Sequence, residues 1–269
     1  MAVEAARSRG RKPSRGEPVI DRAFALLGAF STSRRSLALA ELARACGQPA
    51  STTLRLANRL IAAGALERRE DGRFVIGLRL WEMGALAPRG MGLRQVALPH
   101  MTDLVEATHE NVLLAVLDGN RGLIIERLSG HQAAYMPFAA TGDIPLYYTS
   151  AGLVLLAFAP AMLQEQVLLE PMTMAPDPVP ASPREVRARL AQIRRDGFCL
   201  VKAVPLSATP PVASAAVPIT RGGHEVIAAL SVVMHGQGAE PSTLLPSLRA
   251  AATAIARELD MADFGRVGR

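Results

Sequence analysis

The sequence predicts an α+β protein of two domains: a small helical domain that ends in a β-hairpin, and a larger domain in which helices flank an antiparallel sheet. Two observations carry this prediction. Residues 37–76 show the spacing of two short amphipathic helices followed by a hairpin, and from residue 112 onward strand patterns alternate with helical ones. A chain of 269 residues has room for two domains and a good core.

The first predicted helix of the small domain carries one apolar stripe. Leu39, Leu42, Ala43 and Cys46 recur at positions i, i+3, i+4 and i+7, which is the spacing of a single helix face. The stripe predicts that this face packs against a core and that Cys46 is a small core residue. A tight turn at residues 47–49 follows.

The second predicted helix has an apolar face and a polar face. Pro49 is expected just inside its start, where a fixed φ and a missing N–H are tolerated. The apolar face consists of Leu54, Ala57, Leu60 and Ile61. The opposite face carries hydroxyl, amide and guanidinium groups, from Ser51, Thr52, Arg55, Asn58 and Arg59. Such a face suits the DNA major groove, because Arg reads guanine, Asn reads adenine, and Ser or Thr bonds phosphate.

A hairpin is predicted directly after the second helix. Gly64 ends the helix, and residues 66–69 and 73–76 pair around an Asp71-Gly72 turn. Two helices joined by a tight turn and followed by a hairpin describe a winged helix-turn-helix, which lays its second helix in the major groove. Gln48 in the turn and Arg73 in the wing complete the predicted set of DNA-contacting residues. The alternative is a helical hairpin in an unrelated core with solvated arginines.

The charge distribution favours DNA over that alternative. Residues 1–80 hold 15 Lys and Arg against 7 Asp and Glu, a formal charge of +8, whereas residues 81–269 hold 15 against 17, a charge of −2. Nucleic-acid binding needs a localised basic excess, because phosphate neutralisation supplies most of the non-specific affinity. Residues 1–16 are rich in Arg, Gly, Ser and Pro and are expected to be a disordered basic arm. The arm either follows the DNA backbone or minor groove or stays solvated.

The remaining chain is expected to form a linker and a second domain. Residues 81–109 are predicted as a linker helix region with a break and hinge at residues 88–92, which contain Pro88, Gly90 and Gly92. Strands are predicted at 112–117, 122–128, 133–138, 198–204, 212–219 and 225–234. Helices are predicted at 151–159, 161–169 and 241–261, and a further helix is expected to begin with Pro183 at its first position and to end at Gly197, after a proline-rich loop at 171–183. Ser182 and Glu185 have the spacing of a capping box.

The composition also bears on the compartment. Two cysteines, Cys46 and Cys199, form no disulfide framework and fit a reducing compartment. No apolar segment of the kind found in signal peptides follows the basic N-terminus. The longest run without charge, residues 144–163, contains two prolines and is better explained as a loop entering a buried helix than as a membrane span. We expect a cytoplasmic protein without a membrane partner.

The motifs of common enzymes do not occur in the sequence. The five histidines show no metal-ligand spacing, and there is no GxSxG elbow, P-loop or GxGxxG after a strand. We therefore expect no enzyme, metal or cofactor, although the members of a catalytic triad can lie far apart in sequence. Two rival functions stay open: a sensor-domain enzyme with a vestigial winged helix, and a non-specific architectural DNA binder.

A series of short landmarks resembles one family of regulators. The order in which the landmarks occur is far more specific than any single landmark. In chain order the landmarks are Val19-Ile20-Asp21-Arg22-Ala23, Glu41-Leu42-Ala43, Gly72-Arg73-Phe74, Ala115-Val116-Leu117-Asp118-Gly119, Pro145-Leu146 with Thr149 and Gly152, Arg195-Asp196-Gly197-Phe198, Ala216-Val217-Pro218-Ile219 and Ala228-Ala229-Leu230-Ser231-Val232. Over residues 18–260 the chain resembles the IclR family of transcriptional regulators.

The resemblance implies a domain plan and a function. It implies a winged helix-turn-helix at residues 17–80, a GAF-like effector-binding domain at 110–262 and a short tail at 263–269. It also implies a homodimer or homotetramer that binds a palindromic operator in double-stranded DNA and responds to a small-molecule effector. By position in the family, the effector pocket would be lined by Met136, Phe138, Ser150, Ala151, Ser214 and Ser231.

Departures from the family pattern bear on the ligand. Leu153 stands where the family usually has Lys, Val201 where a pocket acid is common, and Val233 where a second Ser often occurs. Ser214 stands where Cys is frequent. A pocket that loses an acid and a hydroxyl is expected to favour an aromatic or largely apolar effector over a small, highly hydrated acid such as glyoxylate. The alternative for each of these residues is that it simply packs the core.

Overall fold

The computed structural model describes residues 18–31, 34–86, 88–131, 133–134, 142–169, 182–204, 211–236 and 240–267. The chain divides into two compact units, Met1–Ala87 and Pro88–Arg269. Both contain helices and antiparallel strands, so the predicted α+β class is confirmed. The expected basic arm at residues 1–16 lies outside the described residues.

The first unit is a winged helix-turn-helix. Its elements are α1 (Val19–Leu27), β1 (Ser36–Leu37), α2 (Leu39–Cys46), α3 (Ala50–Ala62), β2 (Leu66–Arg68), β3 (Phe74–Ile76) and α4 (Leu78–Ala85). The three strands form an antiparallel sheet in the order β1-β3-β2. Strand β1 was not predicted, because two residues are too short to show an alternating pattern.

The core of the first unit confirms the predicted apolar stripes. Leu42 and Cys46 of α2 are buried together with Ala57 of α3, and the hairpin contributes Leu66 and Phe74 to the same cluster. The predicted position of Pro49 was wrong by one residue. Its ψ of 142° is that of extended backbone, so helix α3 begins only at Ala50.

Two glycines fix the junction between α3 and the wing. Gly64 has a φ of +74°, the left-handed conformation that ends a helix without steric cost. A Cβ on Gly77 would lie 2.2 Å from the carbonyl oxygen of Gly64, so the chain leaving β3 passes the end of α3 at backbone contact distance. The wing is therefore held against the recognition helix by a contact that only glycine permits.

The predicted break in the linker was misplaced. Residues 88–92 are helical and form the start of α5 (Pro88–Thr108), whereas the interruption after α4 falls at Leu86, just before it. Proline is tolerated in a first helical turn, where its missing N–H has no intrahelical partner, so Pro88 begins the helix instead of breaking it. Helix α5 belongs to the second unit, so the structure divides the expected linker region at Ala87.

The second unit is a six-stranded antiparallel sheet covered on both faces. After α5 it contains β4 (Asn111–Asp118), β5 (Arg121–Ser129), β6 (Gly142–Ile144), α6 (Ser150–Ala157), α7 (Ala161–Leu169), α8 (Pro183–Asp196), β7 (Cys199–Val204), β8 (Val212–Arg221), β9 (Glu225–His235), a 3-10 helix (Pro241–Leu244) and α9 (Leu245–Val267). The strand order is β6-β5-β4-β9-β8-β7.

The two sheet faces form two separate cores. Alternate strand residues such as Leu114, Leu230 and Val232 pack with α5 and α9 on one face. Their neighbours, such as Leu113, Ala216 and Val233, pack with α6 and α8 on the other. A strand buried on both faces shows a continuous apolar run, which is the pattern of β4, β8 and β9.

Most predicted elements of the second unit occur within a few residues of their expected positions. The capping box is confirmed, since Ser182 Oγ accepts a 3.3 Å hydrogen bond from the Glu185 amide. The strand predicted at 133–138 was wrong where it can be checked: Ala133 and Ala134 are not in a strand, and β6 pairs with β5 instead. Residues 135–138 and most of the predicted loop 171–183 lie outside the described residues. Helix α9 continues to Val267, beyond residue 262 where the domain was expected to end.

Candidate DNA interface and effector site

The polar face of α3 is exposed, as a recognition helix requires. Ser51, Arg55, Asn58 and Arg59 are exposed and Thr52 is half-buried, while the opposite side of the helix is in the core. Thr53 anchors the start of the helix, because its Oγ1 donates to the Pro49 carbonyl oxygen at 3.1 Å and its side chain is buried. Five of the seven predicted DNA-contacting residues thus lie on one helix.

Gln48 occupies a different position from the other predicted contacts. It follows Gly47, whose left-handed φ of +63° makes the turn between α2 and α3. Both polar atoms of the Gln48 amide are inaccessible to solvent and have no hydrogen-bond partner in the described part of the chain. In this conformation the amide is turned into the protein and does not face a groove.

Arg73 is bound within the first unit. Its Nε donates to Ser36 Oγ at 3.0 Å, and its Nη2 donates to the Ser36 carbonyl oxygen at 2.9 Å and to Glu41 Oε2 at 2.8 Å. These bonds join the wing to β1 and to the start of α2. Arg73 therefore has a structural role that its place in the sequence pattern did not show.

Glu41 is the partner that the sequence analysis missed. Its carboxylate also accepts a 2.7 Å hydrogen bond from the Ala38 amide, which is half of a capping box. The Ala38 amide, together with the guanidinium of Arg73, lowers the pKa of Glu41 below its usual value. A Ser or Thr at the helix start would have signalled the box, but the residue there is Ala38.

The wing presents two further arginines. Arg68 stacks over Phe74, with its guanidinium carbon 5.6 Å from the ring centroid, and its Nε donates to the Gly72 carbonyl oxygen at 3.3 Å. Arg69 is exposed and lies 4.0 Å from Asp71 Oδ2 across the tip. Both are near the end of the hairpin. Neither was among the predicted DNA contacts, although an Arg-Arg pair beside a turn is a signal that could have indicated them.

The effector candidates meet on the sheet face that packs against α6. Ser231 on β9 pairs with Ala216 of β8, and Ser214 lies two residues before Ala216, so the two serines share a face on neighbouring strands. Ser150, the first residue of α6, faces Ser231 with an Oγ–Oγ distance of 3.3 Å. Ser150, Ser214 and Ser231 are all buried, as is Ala151. The structure therefore brings together the four described members of the predicted set.

The start of α6 is positioned by Thr149. Its Oγ1 donates to the Pro145 carbonyl oxygen at 2.7 Å and accepts from the Gly152 amide at 3.0 Å. A Cβ on Gly152 would lie 2.2 Å from the Pro145 carbonyl oxygen, so this turn requires glycine. The turn directs Ser150 toward the sheet.

The surroundings of the serines are apolar. Leu153, Val233 and the partly buried Val201 belong to the same core cluster, so the three departures from the family pattern add apolar surface. Tyr148 is also in this cluster, and its burial, with a smaller contribution from Tyr147, raises its pKa to about 12. The two rings meet edge to face at a centroid distance of 5.2 Å. Met136 and Phe138 lie outside the described residues.

Asn111 is a buried polar residue that the sequence analysis missed. Its Nδ2 donates to the Ala134 carbonyl oxygen at 2.7 Å, and its Oδ1 accepts from Ser129 Oγ at 2.7 Å. It thus ties the chain after β5 to the sheet. An Asn at a strand start resembles a turn residue in sequence, so its burial gave no signal.

The described residues contain neither a metal-binding cluster nor a membrane-spanning helix. No group of three or more His, Cys, Asp or Glu side chains there is arranged to hold a metal ion. Among the helices that the structure describes, none has the length and apolar character needed to cross a membrane.

A winged helix-turn-helix joined to a domain with a buried polar site is the architecture of a ligand-responsive DNA-binding regulator. Comparison with known proteins agrees with that class. The IclR helix-turn-helix domain matches residues 19–70, and the C-terminal domain of bacterial IclR transcriptional regulators matches residues 86–261. The chain belongs to the IclR family of transcriptional regulators, with a helix-turn-helix and a C-terminal effector-binding domain.

Individual relatives match most of the chain. It is 28% identical to the transcriptional regulator XynR of Escherichia coli, over 89% of this chain and 96% of XynR. It is 30% identical to the acetate operon repressor of Salmonella typhimurium, over 74% of this chain and 76% of the repressor. A crystal structure of an IclR homologue from Microbacterium hydrocarbonoxydans, complexed with 4-hydroxybenzoate, is 33% identical, with a TM-score of 0.81 over 90% of this chain and 99% of that one.

Proposed function

We propose that this protein binds an operator sequence in double-stranded DNA through α3 and that a small aromatic or largely apolar metabolite, bound in the second unit, alters that binding. The observation that carries the DNA-binding part is the exposed face of α3. Its hydroxyl, amide and guanidinium groups are outside, while Thr53 and Ala57 hold the other side in the core. Such a regulator acts where the chromosome lies, in the cytoplasm.

The side chains of α3 have two proposed roles. Arg55 and Asn58 contact base edges, because guanidinium and amide groups distinguish guanine and adenine in the major groove. Ser51, Thr52 and Arg59 position the helix on phosphates, as hydroxyl and guanidinium groups commonly do. Arg73 contributes by holding the wing in place through its bonds to Ser36 and Glu41. Gln48 reaches DNA only if its buried amide turns outward.

Self-association is part of the proposal. Several large apolar side chains of the first unit are exposed, including Phe24 on α1 and Trp81 on α4, at 69% and 66% of their full accessible surface. Ile20, also exposed, precedes Phe24 by one turn of α1, so the two lie on one face, and contiguous exposed apolar surface marks interaction sites. A two-fold symmetric dimer, or a tetramer of two such dimers, presents two recognition helices to a palindromic operator.

The proposed effector site is the buried serine cluster. Ser150, Ser214 and Ser231, with Ala151 beside them, offer a few polar groups on an otherwise apolar surface. Such a surface favours an aromatic or largely apolar ligand over a small hydrated acid. The 4-hydroxybenzoate bound to the homologue from Microbacterium hydrocarbonoxydans supports the same class of ligand. Met136 and Phe138 are proposed as further apolar contacts.

The regulation follows from unequal affinity. An effector changes operator binding only if it binds one arrangement of the oligomer more tightly than another. We propose that the effector-bound second unit favours one spacing of the two winged helices, with the linker region that includes Trp81 as the relay. DNA affinity then changes by at most the ratio of the effector affinities for the two arrangements.

Selection from a random pool of duplexes by the full-length protein tests the DNA-binding part. The expected result is an enriched palindrome with two half-sites about one helical turn apart or a multiple of it. Absence of enrichment at low salt would overturn sequence-specific binding. With the operator in hand, titration of 4-hydroxybenzoate and glyoxylate against the protein–DNA complex tests the effector class. A response to glyoxylate alone would overturn the preference for an aromatic ligand.

A further inference from the structure

Arg127 on β5 lies on the sheet face that carries the serine cluster. It pairs directly with Leu113 of β4, and Leu113 pairs on its other side with Ser231 of β9. Residues that face each other across antiparallel strands point to the same side of the sheet. Leu113 belongs to the core cluster on the α6 side, so Arg127 and Ser231 flank it on that same face.

A β-bulge produces this placement. Ala115 pairs with Ile124 and Leu114 pairs with Glu126, which leaves Ile125 as the extra residue. Ile124 is in the core on the α6 side, and strict alternation would put Arg127, three residues later, on the opposite face. The extra residue restores Arg127 to the face of Ile124.

Two contacts independently support that assignment. Glu126, next to Arg127, pairs with Arg94 of α5 at 2.6 Å, so Glu126 points to the α5 side of the sheet. Ser129, two residues after Arg127, donates to Asn111 Oδ1 at 2.7 Å, and Asn111 lies two residues before Leu113 on β4. Both contacts agree with a strand that directs Arg127 toward the serine side.

The spacing suits a ligand of aromatic size. Arg127 and Ser231 are two strands apart, a backbone separation of about 10 Å. Leu113 lies between them, and Ser150 Oγ is 3.3 Å from Ser231 Oγ, so a single ring that reaches from the guanidinium to the hydroxyl pair would lie over the Leu113 side chain. Ala134, Ile144, Leu146 and Tyr148 contribute apolar side chains to the same cluster.

We propose that Arg127 binds the carboxylate of the effector, while the Ser150–Ser231 pair bonds a polar group at the other end of the ligand. The effector is then an aromatic monocarboxylate. A carboxylate cannot enter an apolar site without a partner for its charge, and guanidinium binds carboxylate in a bidentate geometry. This inference rests on the proposed effector site and adds to it the charge and orientation of the ligand.

A comparison of 4-hydroxybenzoate with its neutral analogue 4-hydroxybenzamide tests the inference by calorimetric titration of the full-length protein. The wild type is expected to bind the acid at least roughly tenfold more tightly than the amide. Arg127→Gln is expected to remove that preference by weakening the acid alone. Arg127→Lys keeps the charge but loses the planar fork, so it is expected to retain part of the preference.

Arg121→Gln is the matched control. It removes the same charge from the same strand, and Arg121 lies at the hairpin end, where it bonds Asp118 and Asp143. It is expected to leave both affinities unchanged. Melting curves of each variant separate loss of ligand contact from loss of fold.

Each contrary outcome has a distinct meaning. Equal affinity of the wild type for acid and amide would overturn the carboxylate while leaving the aromatic effector in place. An Arg127→Gln protein that still prefers the acid would overturn Arg127 as the anchor. If the wild type binds neither compound but selects an operator, this inference and the proposed aromatic class both fail, and the DNA-binding function stands.

Discussion

Arg73 Nη2 lies 2.8 Å from Glu41 Oε2 and so links the wing to the first helix of the helix-turn-helix. The same nitrogen also bonds the carbonyl oxygen of Ser36, and Glu41 also caps α2 through the Ala38 amide. One guanidinium therefore holds three elements of the unit in register. Its side chain is 38% exposed, so solvent screens the ion pair and its main effect is geometric.

We expect Arg73→Gln to loosen the wing. The variant keeps a polar side chain but loses the forked donors that reach Ser36 and Glu41 together. The expected results are a lower melting temperature of the first unit and weaker operator binding, while effector affinity of the second unit stays unchanged. Arg69→Gln is the control, because Arg69 is an exposed wing arginine whose contact with Asp71 is at the 4.0 Å limit of an ion pair. If both variants lose DNA affinity equally and neither loses stability, Arg73 acts as a simple phosphate contact.

Glu41 gives the first unit a predictable dependence on pH. The folded protein lowers its pKa from the ordinary 4.5, so its contribution to stability is present above pH 4.5 and is lost as the pH falls through the lowered value. Melting temperatures of the wild type and Glu41→Gln are expected to differ near neutral pH and to converge in acid. Glu70→Gln, at the exposed wing tip, is the control. A constant difference across the whole pH range would contradict the role of the Glu41 charge.

The sequence was sufficient to predict the winged helix because its stripes obey one helical period. Leu42, Cys46 and Ala57 were expected inside and are buried. The position of Pro88 was misjudged because a proline reads as a break in sequence, whereas a first helical turn accommodates it. The role of Arg73 was not predictable, since its partners lie 32 and 37 residues away in the chain.

Arg55 and Arg59 should differ in what they contribute to DNA binding. Arg55→Ala is expected to cost about 1–3 kcal/mol on the selected operator and to relax specificity at one base position. Arg59→Ala is expected to weaken all sequences about equally and to reduce the slope of log affinity against log salt by about 1. Binding to operator and scrambled duplexes at several salt concentrations measures both. A uniform loss for Arg55→Ala would contradict its role as a base contact.

Gly77→Ala and Gly84→Ala together test the close backbone contact between Gly77 and Gly64. Gly77→Ala must displace backbone, because its Cβ would lie 2.2 Å from the Gly64 carbonyl oxygen, and we expect a loss of about 1–3 kcal/mol or more. Gly84 is an exposed residue of α4 with nothing within 4 Å of its Cβ position. Gly84→Ala is therefore expected to stabilise the helix by about 0.5–1 kcal/mol. Chemical denaturation measures both, and a neutral Gly77→Ala would contradict the close approach.

The effector site was only partly predictable from the sequence. The resemblance indicated Ser150, Ser214 and Ser231, which strand register and the turn before α6 bring to one face. Arg127 was not indicated, because the bulge at Ile125 changes which side of the sheet it faces and no local pattern marks that bulge. Polar residues that depend on pairing register become visible only when the register is known.

The Ser150–Ser231 pair gives a double-mutant prediction. Each hydroxyl is buried, and their oxygens lie 3.3 Å apart. Removing one hydroxyl leaves the other without this partner, so Ser150→Ala and Ser231→Ala are each expected to cost about 1–3 kcal/mol of unfolding free energy. The double variant removes both groups, so its loss is expected to be smaller than the two single losses combined. Chemical denaturation of the wild type, the two single variants and the double variant measures this coupling.

Ser182→Ala, which removes the cap of α8 far along the chain, is the control. Its loss of unfolding free energy is expected to add to that of either single variant without coupling. Additive losses for Ser150 and Ser231 would show that the two hydroxyls do not depend on each other, and the serine pair would then not act as a unit toward a ligand.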